Sequence, residues 1–227
     1  MNITETIARK VLETVDAGLV KGVGDPVPGK MCVEAAVCYA LGLPHGDNPE
    51  CVSASLRELK IRLNDSPWSS NQARANGLRR LAVAQLGSAG FLNETEFVQR
   101  LSDYAIRVSA PKALRAAASI QKNPAHEAAL LSAANRCEIE GTSESARDAT
   151  NAAYACAATC AATNAAYAAN AATCAANAAA YTANATCAAA YAANALDKSL
   201  AEYAEHVVQI LIDLKAPGCA WLTLTAI

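Results

Sequence analysis

Residues 149–196 read ATNAAYACAATCAATNAAYAANAATCAANAAAYTANATCAAAYAANAL, a stretch with 27 alanines and no charged side chain. Alanine is the strongest helix former, because it loses no rotamer freedom in a helix and does not compete for backbone hydrogen bonds. Neither glycine nor proline interrupts the chain from Thr142 to Ala216. The composition predicts helix, and the residues that are not alanine indicate how it is used. Alternate steps of four and three from Cys156 pass through Cys160, Thr163, Tyr167, Asn170, Cys174, Asn177, Tyr181, Asn184, Ala188 and Tyr191. Ten of these eleven positions are not alanine, where about five would be by chance. A stripe with a period of about 3.5 is what a long helix presents to a neighbouring helix. It predicts one continuous helix rather than several short hairpinned ones.

Drawn as a single rod, residues 142–216 would span roughly 110 Å, against a radius of gyration of roughly 17 Å for a compact chain of this length. A break is therefore expected, and Asn194 with Asp197 has the spacing of a helix cap. After it, LDKSLAEYAEHVVQILIDL repeats apolar residues at helical spacing, which turns Leu200, Tyr203, Val207, Ile210 and Leu211 inward. Only the tail WLTLT alternates like a strand.

The first 141 residues read as a series of shorter helices. Asn2 with Glu5 has the form of a capping box for a helix over Ile3–Val20, whose Ile3, Ile7, Val11, Val15 and Leu19 share one face. A second helix is predicted from Gly29 to Gly42. Ser55 with Glu58, Ser69 with Gln72, and Asn93 with Glu96 mark three further starts, and Gly87 closes the second of these. Pro111 after Ser109 and Pro124 after Asn123 sit where a first-turn proline is tolerated. The reading is an all-α protein: an N-terminal helical array over 1–141, then a long alanine-rich helix and a closing amphipathic helix over 142–227. The two parts are expected to pack as one unit, with a homodimer formed through the long helix.

The bulk numbers exclude several classes. A formal net charge of −2 gives no basic excess for holding duplex nucleic acid. The uncharged tract lacks Leu, Ile, Val and Phe until Leu196, and its repeated Asn would be costly in lipid, so no membrane span is predicted. The nine cysteines are an odd number, and MNITETIARKVLETV is amphipathic and charged rather than an apolar leader. Free thiols in a reducing cytoplasm are the expectation.

The segment AEYAEHVVQILIDLKAPGCAWLTL, following an alanine-rich repeat, resembles a group of uncharacterised alanine-rich helical proteins of bacteria and bacteriophages. The N-terminal MCVEAAVCYALGLPHGDNPECV, LRELKIRLND and WSSNQARANGLRRLAVAQLGSAG are similar to the same group. The resemblance carries no activity onto residues. It implies a phage or bacterial setting, in which small non-enzymatic inhibitors of host defence form one class.

Several constellations carry candidate chemistry. Gly24-Asp25-Pro26-Val27-Pro28-Gly29-Lys30-Met31 fits G-x-x-x-x-G-K, but Met31 stands where a phosphate loop needs Ser or Thr, and two prolines remove amides. A milder reading survives, with Gly29 and Lys30 at a helix N-terminus receiving an anion. Arg79 and Arg80, with Arg74 and Lys60, line a phosphate pocket or are the solvated faces of two helices. Tyr167, Asn170, Asn177 and Tyr181 on the stripe offer stacking planes and donor–acceptor pairs for a nucleobase, and suit a core or self-association seam equally. Cys32, read in the first turn of the second helix, is a candidate nucleophile with His45 as base and Asp47 orienting it. No metal or cofactor is implied, because Cys156 and Cys160 have no matching pair and His45, His126 and His206 are scattered. The functional expectation is a non-catalytic binder sequestering a small anionic, nucleotide-like signal through Lys30, Arg79, Arg80, Tyr167, Asn170, Asn177 and Tyr181. A protein–protein inhibitor or assembly scaffold is the second reading, and a cysteine hydrolase using Cys32 the third.

Overall fold

The structure, a computed structural model, describes residues 3–156 and 196–226. Among them are α1 (Glu5–Asp16), α2 (Val33–Leu41), α3 (Ala54–Asp65), α4 (Asn71–Ala84), α5 (Glu94–Tyr104), a π-helical turn (Ala105–Ser109), α6 (Ala110–Ala118), α7 (Pro124–Glu140), α8 (Ser143–Ala155), α9 (Leu196–Asp213) and a 3₁₀ tail (Pro217–Thr225). No strand occurs among the described residues, where one isolated antiparallel bridge joins Gly24 to Met31. The fold is all-α. WLTLT, which alternates in sequence, lies in the 3₁₀ tail.

The chain divides into two compact units, Met1–Phe97 with Leu200–Ile227, and Val98–Ser199. In the first unit α1 packs against α2 and α4, and the 3₁₀ tail lies on α1 and α4. Helix α1 starts at Thr4, whose hydroxyl accepts from the Ile7 amide at 3.4 Å, rather than at Asn2. Ala8, Val11, Leu12 and Val15 are buried along its inner face. In α9 Leu200, Tyr203, Val207, Ile210 and Leu211 are all buried, as their spacing predicts. The start of α3 is capped from a distance: the Glu94 carboxylate accepts from the amides of Ala54 and Ser55, both at 3.2 Å. At its other end Trp68 Nε1 donates to Leu63 O at 2.9 Å and Arg74 Nε to Asn64 O at 2.7 Å. Leu63 O also accepts from the Ser66 amide at 3.3 Å, and the Asn64 carbonyl would otherwise be an orphan of the last helical turn.

The core of the second unit is built largely of alanine. Ala110, Ala113, Ala117, Ala133, Ala134, Ala146, Ala149 and Ala153 are buried there with Leu114, Leu130, Cys137 and Cys156. Small side chains let α6, α7 and α8 approach closely. Pro111 stands in the first turn of α6, after Ser109 as its spacing predicts, although α5, the π turn and α6 follow one another without a break. Proline leaves the Arg107 carbonyl without its donor and its ring crowds that turn. The π turn supplies the room, with the Ala110 amide reaching back to Ala105 O. It also brings Arg107 to the end of α7, where its guanidinium donates to the carbonyls of Glu138 (2.6 Å), Ile139 (3.0 Å) and Glu140 (3.1 Å). Gly141 closes α7 in the left-handed conformation, φ 63°, so position 141 is a cap inside this unit.

Thr142 and Ser145 then form a reciprocal capping box for α8, which stops at Ala155 although no Gly or Pro interrupts the sequence. Of the predicted stripe only Cys156, buried in this core, belongs to the described residues. Tyr167, Asn170, Asn177 and Tyr181 lie outside them.

Packing is tightest where Gly77 meets the buried Trp68 ring, since an added Cβ would lie 2.3 Å from its nearest atom. Gly77→Ala is expected to lower stability by about 1–3 kcal/mol through overpacking. Urea unfolding followed by tryptophan fluorescence checks this.

Candidate functional site

Helices α2 and α3 meet through two charges that face inward. Leu56, Leu59 and Leu63 form the buried face of α3, and Lys60 lies on that face with them. On α2 Glu34 is buried among Val33, Ala35, Ala36, Val37 and Cys38. Both side chains are 0% exposed, and Lys60 Nζ lies 3.0 Å from Glu34 Oε1. The contact is an ion pair in which Lys60 Nζ faces Oε1, while Glu34 Oε2 has no hydrogen-bond partner. Burial pushes the Glu34 carboxyl above its ordinary value, against the pull of Lys60, and pushes the Lys60 ammonium below its own, against Glu34. Loss of hydration outweighs attraction for both partners.

Three thiols surround the pair. Cys32, Cys38 and Cys51 are buried and free. Burial pushes all three thiols up, Cys38 to about 11. Cys32 is the N-cap of α2 rather than a residue of its first turn, and its sulfur accepts from the Ala35 amide at 3.3 Å. Asn64 satisfies the next orphan, its Oδ1 accepting from the Val33 amide at 3.3 Å. Asn64 Nδ2 in turn donates to Val20 O (2.9 Å) and Asp65 Oδ1 (3.0 Å). Arg74 fixes the surrounding backbone through Asn64 O and Leu19 O.

Beside this assembly is a cavity of about 190 Å³, lined by Gly22, Val23, Cys32, Val33, Glu34, Asp47, Ile61, Asn64 and Asp65. Cys32, Val33, Glu34 and Asn64 are buried, while Val23, Asp47, Ile61 and Asp65 are half-buried at its rim. Asp47 and Asp65 bring carboxylates to its rim, while the Glu34 side chain behind it is sealed from solvent. No family model, no curated protein and no solved structure matches the chain. The site is therefore read from its own geometry.

That geometry does not converge the cations named from the sequence. Arg79 donates to both oxygens of Asp16 (2.6 and 3.0 Å) and to Thr225 O (2.8 Å), so it ties α4 to α1 and the tail. Arg80 donates to Glu205 at 2.9 Å. Lys60 and Arg74 are buried and hold structure together instead of lining a phosphate pocket. Lys30 is exposed in a loop before α2, since the helix begins at Val33 rather than Gly29. The loop's amides are spent internally, Asp25 on Lys30 O at 2.7 Å and Lys30 on Val27 O at 2.9 Å. With the first turn of α2 closed by Asn64 and Cys32, the expected anion-binding amides are absent there. Nor do Cys32, His45 and Asp47 form a catalytic relay: His45 Nε2 bonds Gly24 O at 2.9 Å, and Asp47 takes Arg57 through its carbonyl (2.7 Å) and carboxylate (3.3 Å). A buried thiol with a raised value is the reverse of an activated nucleophile.

No group of three metal-ligating side chains occurs among the described residues, and no described helix is long and apolar enough to cross a membrane. The sequence did carry a signal for the buried pair. One charge of each sign sits at an apolar helical position, Lys60 among leucines and Glu34 among alanine and valine.

Removing one partner strands the other in the core. Lys60→Met alone is expected to lower stability by about 3 kcal/mol or more, and Glu34→Leu with Lys60→Met to restore it to near or above the native value. The two groups also have opposite pH signs. A raised carboxyl loses its contribution as pH rises through its folded value, and a lowered lysine loses its contribution as pH falls through its own. Glu34→Gln uncovers the lysine slope, so its stability should climb as pH rises towards the ordinary lysine value, while the native protein changes less. Chemical denaturation at several pH values checks both statements.

Proposed function

We propose that this chain is a non-catalytic binding protein that sequesters a small ligand in the cavity between α2 and α3. One observation carries the reading: a polar cavity adjoins a fully buried carboxylate that faces Lys60 through one oxygen and leaves the other without a hydrogen-bond donor. A buried acceptor left unmet costs free energy, and a bound group that supplies donors recovers it. Cytoplasmic location is part of the proposal, because Cys32, Cys38 and Cys51 stay unpaired in one core. Sequestration suits the phage or bacterial setting that the resemblance implies, with any immune signal bound rather than cleaved.

An anionic, nucleotide-like ligand fits this cavity poorly. Its walls carry carboxylates, and Arg79 and Arg80 are closed onto Asp16 and Glu205. At about 190 Å³ it is also smaller than the roughly 300–1,000 Å³ of drug-sized sites. Native mass spectrometry of the purified chain, before and after mild denaturation, tests the reading. A small mass should be released, and it should be absent from a variant in which Val23→Trp fills the rim. Release from both forms alike would refute the cavity as its seat.

A second reading, a helical assembly scaffold, is favoured by apolar side chains that the second unit leaves in solvent. Ile139 is 78% exposed, and Leu131 lies two turns earlier on α7. On this reading the chain is a homodimer, and Ile139→Asp shifts sedimentation to the monomer without lowering the unfolding midpoint. An unchanged sedimentation coefficient counts against it.

A further inference from the structure

Resting on that cavity as the ligand site, we infer that its occupant is a small cation rich in hydrogen-bond donors, a protonated amine or its like. The inference follows from which groups are already used. Among the donors that line the cavity, the Gly22 amide is committed to Asp65 Oδ1 at 2.8 Å and the Val33 amide to Asn64 Oδ1. The Cys32 amide is committed to Val23 O, and Asn64 Nδ2 to Val20 O and Asp65 Oδ1. The side-chain acceptors are in excess. Asp65 uses one carboxylate oxygen on Gly22 and Asn64, and Asp47 uses one on Arg57. Their second oxygens have no hydrogen bond among the described residues, and both carboxylates stand at the half-buried rim. Below them the Glu34 side chain, sealed from solvent, faces Lys60 through Oε1 and leaves Oε2 without a donor. Spare carboxylate oxygens at the rim repel an anion and attract a donor-bearing cation.

The balance of charge points the same way. Glu34, Asp47 and Asp65 are the charged residues lining the cavity. Of the neighbouring cations, Lys60 faces Glu34 within the core, and Arg57 is turned onto the Asp47 carbonyl and carboxylate. Neither lines the cavity. The rim carboxylates supply direct contacts to the cation, above the Glu34–Lys60 pair. The small volume selects a single ammonium or amidinium group with a short stem rather than a large base.

Backbone amide spectra of the full chain, titrated with four probes, test this. Methylammonium carries charge and donors, tetramethylammonium charge alone, acetamide donors alone, and phosphate the opposite charge. Methylammonium should shift Gly22, Val33, Asn64 and Asp65 saturably, and the other three should leave them in place. Asp47→Asn should weaken methylammonium binding roughly tenfold. This variant folds, because the half-exposed Asp47–Arg57 pair contributes little to stability. Equal affinity in the variant would overturn the role of the rim carboxylate. Saturable shifts with acetamide or phosphate would overturn the cationic class while keeping the cavity as a binding site. Silence from all four probes would overturn the inference and the binding reading together.

Discussion

The contact on which the first unit turns is the buried approach of Lys60 to Glu34. Two opposite charges without solvent hold α2 and α3 in one register, since any slip would separate them in a medium that penalises each alone. Their positions explain the elements around them. Asn64 lies one turn beyond Lys60, and from there it caps the start of α2 through Val33 while Arg74 caps the end of α3. The loop between α1 and α2 is then pinned by Asn64 on Val20 and by Asp65 on Gly22. A pair that is costly to bury thus organises a neighbourhood of satisfied backbone groups, and the cavity is what those groups enclose.

Stability and recognition pull in different directions at this place. Hydrophobic residues of similar volume would fill the α2–α3 contact at lower cost than a buried ion pair. A carboxylate kept there with an unmet oxygen makes sense as part of a site that receives donors. The thiols of Cys32, Cys38 and Cys51 fit this account as small apolar packing, their values raised by the same loss of water that raises Glu34. The second unit is built on another principle, alanine contacts closed by the Arg107 cap on α7 and the Thr142–Ser145 box on α8.

Much of the helical architecture was legible in the residues. The inward set of α9 followed from apolar spacing alone, and Asn93 caps α5 through the Glu96 amide as its spacing suggested. Boundaries went astray where tertiary partners do the capping. Ser55 with Glu58 reads as a local start, but the donors of α3 go to Glu94, some forty residues away, and no local pattern encodes that. Likewise the run from Gly29 looks helical until Met31 is paired with Gly24. The site was harder to see, because Lys60, Arg74, Arg79 and Arg80 share the appearance of solvated helix charges and only the fold tells which are buried and which are tied to carboxylates. The decisive residues were the ones whose charge breaks an apolar face, Glu34 and Lys60.

The most direct test of this account is the carbon-13 titration of the Glu34 carboxyl in the full chain, with and without methylammonium. A sealed carboxylate short of donors should titrate above the ordinary glutamate range, and a bound cation should draw its value down by favouring the charged form. An ordinary value that the cation leaves unmoved would contradict both the buried pair and the site built upon it.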